Sequence, residues 1–240
     1  PHFLALLVPQ AVLPAPDPPI KSDIKNDPCF GWGAYRSSHE LVHYKYVAAA
    51  AAFYLAKHGV LINGIIDREG GLINEKGFTF EEIRDLFLNR KGNTLNHPDM
   101  LSAEEVNAKI WDLPMEIFIP GAASRLITQN QAERMVTAGV EVISCGANVP
   151  FADKEIFMGP ISEYMDNNTA VIPDFIANCG MARVFAYLMS DEIQDMNDQG
   201  IFNDTSITIQ KALAEVHASQ PNKTGITAQA FEIALKKLNA

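Results

Sequence analysis

The chain has 240 residues, 48% of them apolar, and a formal net charge of −10. That apolar share is enough to bury a sizeable core and excludes a chain disordered throughout. The acidic balance argues against a nucleic-acid surface, which needs clustered Lys and Arg to track phosphates.

No apolar run reaches the roughly 20 residues that cross a bilayer. Cys29, Cys145 and Cys179 are odd in number and widely spaced. They fit neither a disulfide framework nor a CxxC metal site, and the expectation is reduced, largely buried thiols in a cytoplasmic protein.

The opening "PHFLALLVPQAVLPAP" is apolar but lacks a basic leader and is broken by Pro9, Pro14 and Pro16. It reads as an extended packing segment rather than a signal peptide. With no initiator Met, it also reads as the start of a fragment. Residues 1–42 form a Pro-rich segment in which "PAPDPPIKSDIKNDP" holds extended chain and turns. "FGWGAYR" reads as a turn with Trp32 and Tyr35 available for packing, and helix is expected to begin around Ser37 or Ser38.

From Val47 onward helix and strand patterns alternate. "VAAAAAFYLAKHG" is a strong helix former with a stop at Gly59. "VLINGIID" has the length and continuous apolarity of a strand buried on both faces. "REGGLINEKG" reads as a turn-rich link. Capping boxes are expected at Thr79 with Glu82, Ser102 with Glu105, and Thr128 with Gln131. Each opens a helix; the first carries the stripe Ile83, Leu86, Phe87.

"MEIFIP", "VEVISCGANVP" and "TAVIPDF" read as strands. "IANCGMARVFAYLMSDEIQ" reads as one long helical segment, and "SITIQKALAEVHAS" and "TAQAFEIALKKLN" as further helices. Strands separated by helices predict an α/β fold: a Rossmann-like, doubly wound, mainly parallel sheet with a helical C-terminal region. Residues 43–240 would form this dinucleotide-binding-type domain, with 1–42 a possible remnant of a catalytic domain.

Three segments in order, "IPGAASRLIT", "VISCGANVPF" and "VIPDFIANCGMARVFAYL", resemble the cofactor domain of the glutamate/leucine/phenylalanine/valine dehydrogenase family. Its members show P-A-A-x-x-x-x-I, G-A-N-x-P and P-D-x-x-A-N-A-G-G segments there. The resemblance spans roughly residues 43 to 240. It implies oxidative deamination of an L-amino acid such as glutamate, with NAD or NADP as cofactor.

Taken residue by residue, the resemblance places Asp67 at the ribose hydroxyls of the adenosine. It places Ala122 and Ala123 where backbone passes close to the cofactor, and Asn148 and Asn178 at the nicotinamide half. The family's glycine turn, G-x-G-x-V-G, falls on His43 to Ala48, with Val47, Ala51, Ala52, Leu55 and Gly59 matching.

Two of those glycines are His43 and Lys45, whose side chains would occupy phosphate space, and the third is Ala48. His43 and Lys45 are either cations that contact phosphate directly or solvent-facing residues of a turn that no longer takes a dinucleotide. The second glycine of A-G-G is Met181, and a substrate-carboxylate serine position falls on Phe185. No catalytic residue of the family is identified here. "PAPD", ending at Asp17, only echoes a motif near the family's catalytic aspartate.

Other readings stay open. Asp67 is a ribose acceptor or a strand-end turn former, and Arg68 beside it can accept a 2′-phosphate. Asn148 and Asn178 are ligand-binding or structural loop residues. Arg183, in apolar company, either clasps a substrate carboxylate or sits in a structural ion pair. Cys145 and Cys179 have no nearby His to act as base, and Trp111 reads as core. The partners expected are an amino or keto acid and, from the family, a homo-oligomer; neither a nucleic acid, a membrane nor a metal is expected. The alternative to a dehydrogenase is a non-catalytic or regulatory relative that binds another small ligand or a protein.

Overall fold

The computed structural model describes residues 40–92, 94–190 and 197–239, with side chains described from residue 48 onward. Expectations for the opening segment, Asp17, Cys29, Trp32 and the side chains of His43 and Lys45 lie outside the described residues.

Helix α1 runs Glu40–Lys57 and carries the Ala run. It stops where expected. Gly59 adopts φ +81°, a left-handed conformation that glycine takes without a Cβ penalty. The Val60 and Gly59 N–H groups then donate to the carbonyls of Leu55 and Ala56. Small residues on α1 let it lie close to its neighbours: Ala52 and Ala56 join a core with Leu72, Ile83 and Leu86. The Phe53 ring sits 5.3 Å from that of Phe80 and 5.6 Å from that of Phe87.

The next stretch departs from the expectation of a doubly buried parallel strand. β1 (Ile62–Ile66) is only half-buried. It pairs antiparallel with β2 (Gly70–Phe78), which in turn pairs antiparallel with β3 (Leu101–Ser102). "REGGLINEKG" is therefore mostly strand. Its glycines serve close approach, not turning: a Cβ on Gly70 would lie 2.1 Å from the Leu101 carbonyl oxygen, and one on Gly71 2.4 Å from that of Ile65.

α2 (Phe80–Leu88) and α3 (Ala103–Asn107) each begin with the expected reciprocal capping box. The backbone and hydroxyl hydrogen bonds from Thr79 and Ser102 hold the Glu82 and Glu105 carboxyls below the usual range. A 3-10 turn, Ile110–Asp112, follows.

The parallel sheet is formed by β4 (Ile117–Phe118), β5 (Val142–Ser144) and β6 (Ala170–Ile172), in that order. α4 (Gln129–Ala138), with its Thr128 cap, links β4 to β5, and α5 (Pro160–Asn168) links β5 to β6. Met135, Ile143, Met165 and Val171 are fully buried between these layers. The α/β, Rossmann-like expectation holds in this sheet and its crossovers.

Beyond β6 the anticipated long helix is broken. α6 covers Asp174–Ala177 and α7 covers Gly180–Leu188, with Asn178 and Cys179 between them. α8 (Asp198–Ser219) and α9 (Ile226–Leu238) pack back on the sheet through Val216, Ile226 and Ala230 against Ala170 and Ile172.

Gly225 precedes α9 and has no side chain to cap it. The buried Asp166 does so instead, accepting from the Thr227 and Ala228 N–H groups at 2.8 and 3.1 Å. Burial pushes the Asp166 carboxyl above its ordinary range, and those backbone donors pull it partly back.

Candidate functional site

At the carboxyl ends of β4, β5 and β6 three loops meet, the edge where open α/β sheets bind ligands. A cleft of about 550 Å³ opens between α1, the β1–β2 hairpin, the end of α2 and the loop after β4. Asp67, Ala122 and Ala123 all line it. These three positions lie far apart in sequence, and the fold brings them to one cavity.

Asp67 is engaged by its own hairpin. One carboxylate oxygen accepts from the Glu69 and Gly70 N–H groups at 2.8 and 3.1 Å. The other accepts from the Leu95 N–H at 2.6 Å. The turn-forming reading is thus seen directly. The second oxygen takes only that one bond, so a lone pair remains for a further donor.

Arg68 pairs with Glu69 at 2.6 Å on the exposed rim. Arg90 lies 4.4 Å above the Phe87 ring and donates to the Phe87 carbonyl. Both arginines line the cleft, as do Trp111 and Phe87.

The region of the glycine turn is different. α1 is continuous from Glu40, so His43 to Ala48 lies within helix and not in a turn before it. The amides that a helix start would present there are instead spent on intrahelical hydrogen bonds. Ala48 sits directly on the β4 loop: a Cβ on Gly121 would meet the Ala48 Cβ at 2.6 Å. The close helix–strand packing that a glycine in the turn would allow is achieved here by Gly121, on the opposite side of the contact.

Asn148 and Asn178 come together, 30 residues apart, with the Asn178 side-chain amide donating to the Asn148 side-chain carbonyl at 2.8 Å. They are not among the residues lining the cleft. Between them the backbone is strained. Val149 has φ +44°, which a β-branched residue rarely adopts. It is held there by its N–H donating to the Asp174 carboxylate at 2.8 Å and by its carbonyl accepting from the Arg125 N–H at 2.8 Å. The Ala147 N–H donates to the Pro120 carbonyl at 2.7 Å and locks this loop to the one carrying Ala122.

Arg183 is held in a fork by Asp204 of α8, at 2.5 and 2.6 Å. The ion-pair alternative is what the structure displays; a substrate carboxylate would have to displace Asp204. Burial pushes the Cys145 thiol well up, and it raises the Cys179 thiol too, with Arg183 partly offsetting the latter. Neither thiol is poised as a thiolate nucleophile. Among the described residues no group of His, Cys, Asp and Glu is arranged to hold a metal.

Sequence reasoning did not single out Arg90 or Asp174 and assigned Trp111 to the core alone. Trp111 is indeed buried, and its indole also walls the cleft. Asp174, directly after Pro173 at a helix start, carried a usable signal, since acids favour the first turn. Arg90 carried none, because its place depends on how α2 docks.

A nicotinamide dinucleotide fits this site in part. The Ile65, Ile66, Phe87 and Trp111 walls suit a flat base, and the free lone pair of Asp67 suits a ribose hydroxyl. The pyrophosphate turn is absent, and the Asn148–Asn178 pair is satisfied internally.

The architecture is that of a Rossmann-like α/β domain with a ligand-sized cleft at the sheet's carboxyl edge. The chain belongs to the Glutamate/Leucine/Phenylalanine/Valine dehydrogenase family, whose model matches residues 46–240. The NADP-specific glutamate dehydrogenase of Agaricus bisporus is 28% identical over 156 residues, 62% of this chain and 34% of its own length. That of Laccaria bicolor is 26% identical over 154 residues, again 62% and 34%. The crystal structure of Plasmodium falciparum glutamate dehydrogenase shares the fold, with a TM-score of 0.55 at 18% identity, covering 81% of this chain and 44% of that one. The chain spans about a third of the length of the curated relatives it matches. Among the described residues no helix is long and apolar enough to cross a membrane.

Proposed function

We propose that residues 43–240 act as the cofactor-domain portion of a glutamate-dehydrogenase-like protein, one that oxidatively deaminates an L-amino acid with NAD or NADP. The observation that carries this reading is the convergence of Asp67, Ala122 and Ala123 on one cleft at the carboxyl edge of the parallel sheet. The relatives bearing NADP-specific names support the choice of ligand class.

In this reading the cleft holds the adenosine end of the cofactor. Asp67 faces the ribose, and the Ala122–Ala123 backbone runs alongside. The cofactor's nicotinamide supplies the hydride acceptor; the residues that work on the amino acid belong to the portion of such enzymes this chain does not match.

The test is a binding titration with NAD and NADP, followed by an assay of reduced-nicotinamide formation with L-glutamate and other L-amino acids. Binding with turnover supports the full reading. Binding without turnover confines the chain to the cofactor-domain role. Absence of nucleotide binding overturns the proposal and favours a non-catalytic relative with another ligand.

A further inference from the structure

We infer that this cleft reads the adenosine half of a dinucleotide and nothing beyond it, so that the chain takes free ADP as tightly as NAD or NADP. The inference rests on the nucleotide reading proposed above.

Three independent features lead to it. First, the passage a pyrophosphate would follow between α1 and the β4 loop is closed where Ala48 and Gly121 touch. Continuous helix through residues 43–48 leaves no free amide nest there. Second, Asn148 and Asn178 spend their side chains on each other and lie outside the cleft lining. Third, the groups suited to a ligand gather at the opposite end. Phe87 and Trp111 offer apolar ring surfaces for a base, Asp67 offers one carboxylate lone pair, and Arg68 and Arg90 bring two positive charges.

Those charges select a phosphorylated adenosine over adenosine itself. A nicotinamide mononucleotide unit hanging outside the cleft makes no contact that differs between bound and free states, so it adds nothing to affinity.

Calorimetric titration of the full chain with ADP, NAD, NADP and nicotinamide mononucleotide tests this. The expected result is ADP, NAD and NADP affinities within about threefold of one another, and no heat from nicotinamide mononucleotide. Leu126→Trp narrows the cleft mouth at a side chain that is 54% exposed, so the core is untouched. It should weaken ADP and NAD alike by at least about tenfold, with an unchanged melting temperature.

NAD or NADP binding about tenfold or more tighter than ADP, or competition by nicotinamide mononucleotide, overturns the inference while leaving the nucleotide reading standing. ADP binding that Leu126→Trp does not alter places the nucleotide elsewhere and also overturns it. No binding by any of the four removes the nucleotide reading itself.

Discussion

Asn178 donates its side-chain amide to the side-chain carbonyl of Asn148 at 2.8 Å, bridging the loops that follow β6 and β5. A single neutral hydrogen bond contributes about 1 kcal/mol net. In a double-mutant cycle with Asn148→Ala and Asn178→Ala, a coupling of about 0.5–1.5 kcal/mol is expected in urea denaturation. Additive losses would mean that the two side chains do not hold each other.

Gly121 lies so close to Ala48 that a methyl group has no room, with the Cβ positions 2.6 Å apart. Because the obstruction is helix and not a flexible side-chain tip, α1 must shift. Gly121→Ala is expected to lower stability by about 1–3 kcal/mol, the usual range for overpacking. Thermal or urea unfolding reads the loss. A neutral substitution would show that α1 and the β4 loop are not in contact.

Arg183 and Asp204 join α7 to α8 through two hydrogen bonds, at a pair that is partly exposed. Solvent screening limits such a bridge to roughly 1 kcal/mol even with fork geometry. Arg183→Met is expected to cost about that much, and Asp204→Asn in the same background to add little more. Equal, additive losses in the two variants would contradict the pairing.

Acid should weaken the fold through the capping carboxylates. Glu82 and Glu105 are held below their ordinary value of 4.5 by Thr79 and Ser102, and Asp112 below 3.8 by Arg134. A lowered folded value contributes stability that is present above the ordinary value and lost as pH falls through the folded one. Asp166 has the opposite sign. Its folded value is raised by burial, so its contribution is fully present below 3.8 and lost as pH rises through the folded value. In a Glu82→Gln, Glu105→Gln variant the drop in melting temperature on acidification below about pH 4.5 should be shallower than in the parent chain. An identical acid slope would count against the capping boxes.

Local signals were legible in the sequence where chemistry is local. The three capping boxes, the Gly59 stop and the apolar runs of β5 and β6 depend on residues within a few positions, and the structure forms them as read. Pairing partners were not legible. "VLINGIID" looks the same whether it lies in a parallel sheet or a hairpin, and only the close backbone approaches at Gly70 and Gly71 decide for the hairpin.

The site followed the same division. The resemblance marked Asp67, Ala122 and Ala123, and the fold gathers them at one cleft. That Asp67 would be claimed by three backbone amides, and Arg183 by an aspartate 21 residues away, depends on loops and helix packing that no local pattern encodes.

The most direct test of the cleft as an adenine-nucleotide site is the fluorescence of Trp111, one of its walls. Trp111 is observed alone in a Trp32→Phe background, because the chain has 2 Trp. The expected result is a saturable change on adding NADP, reversed by excess ADP. No change at any nucleotide concentration, with the protein shown to be folded, would contradict the placement of the nucleotide in this cleft.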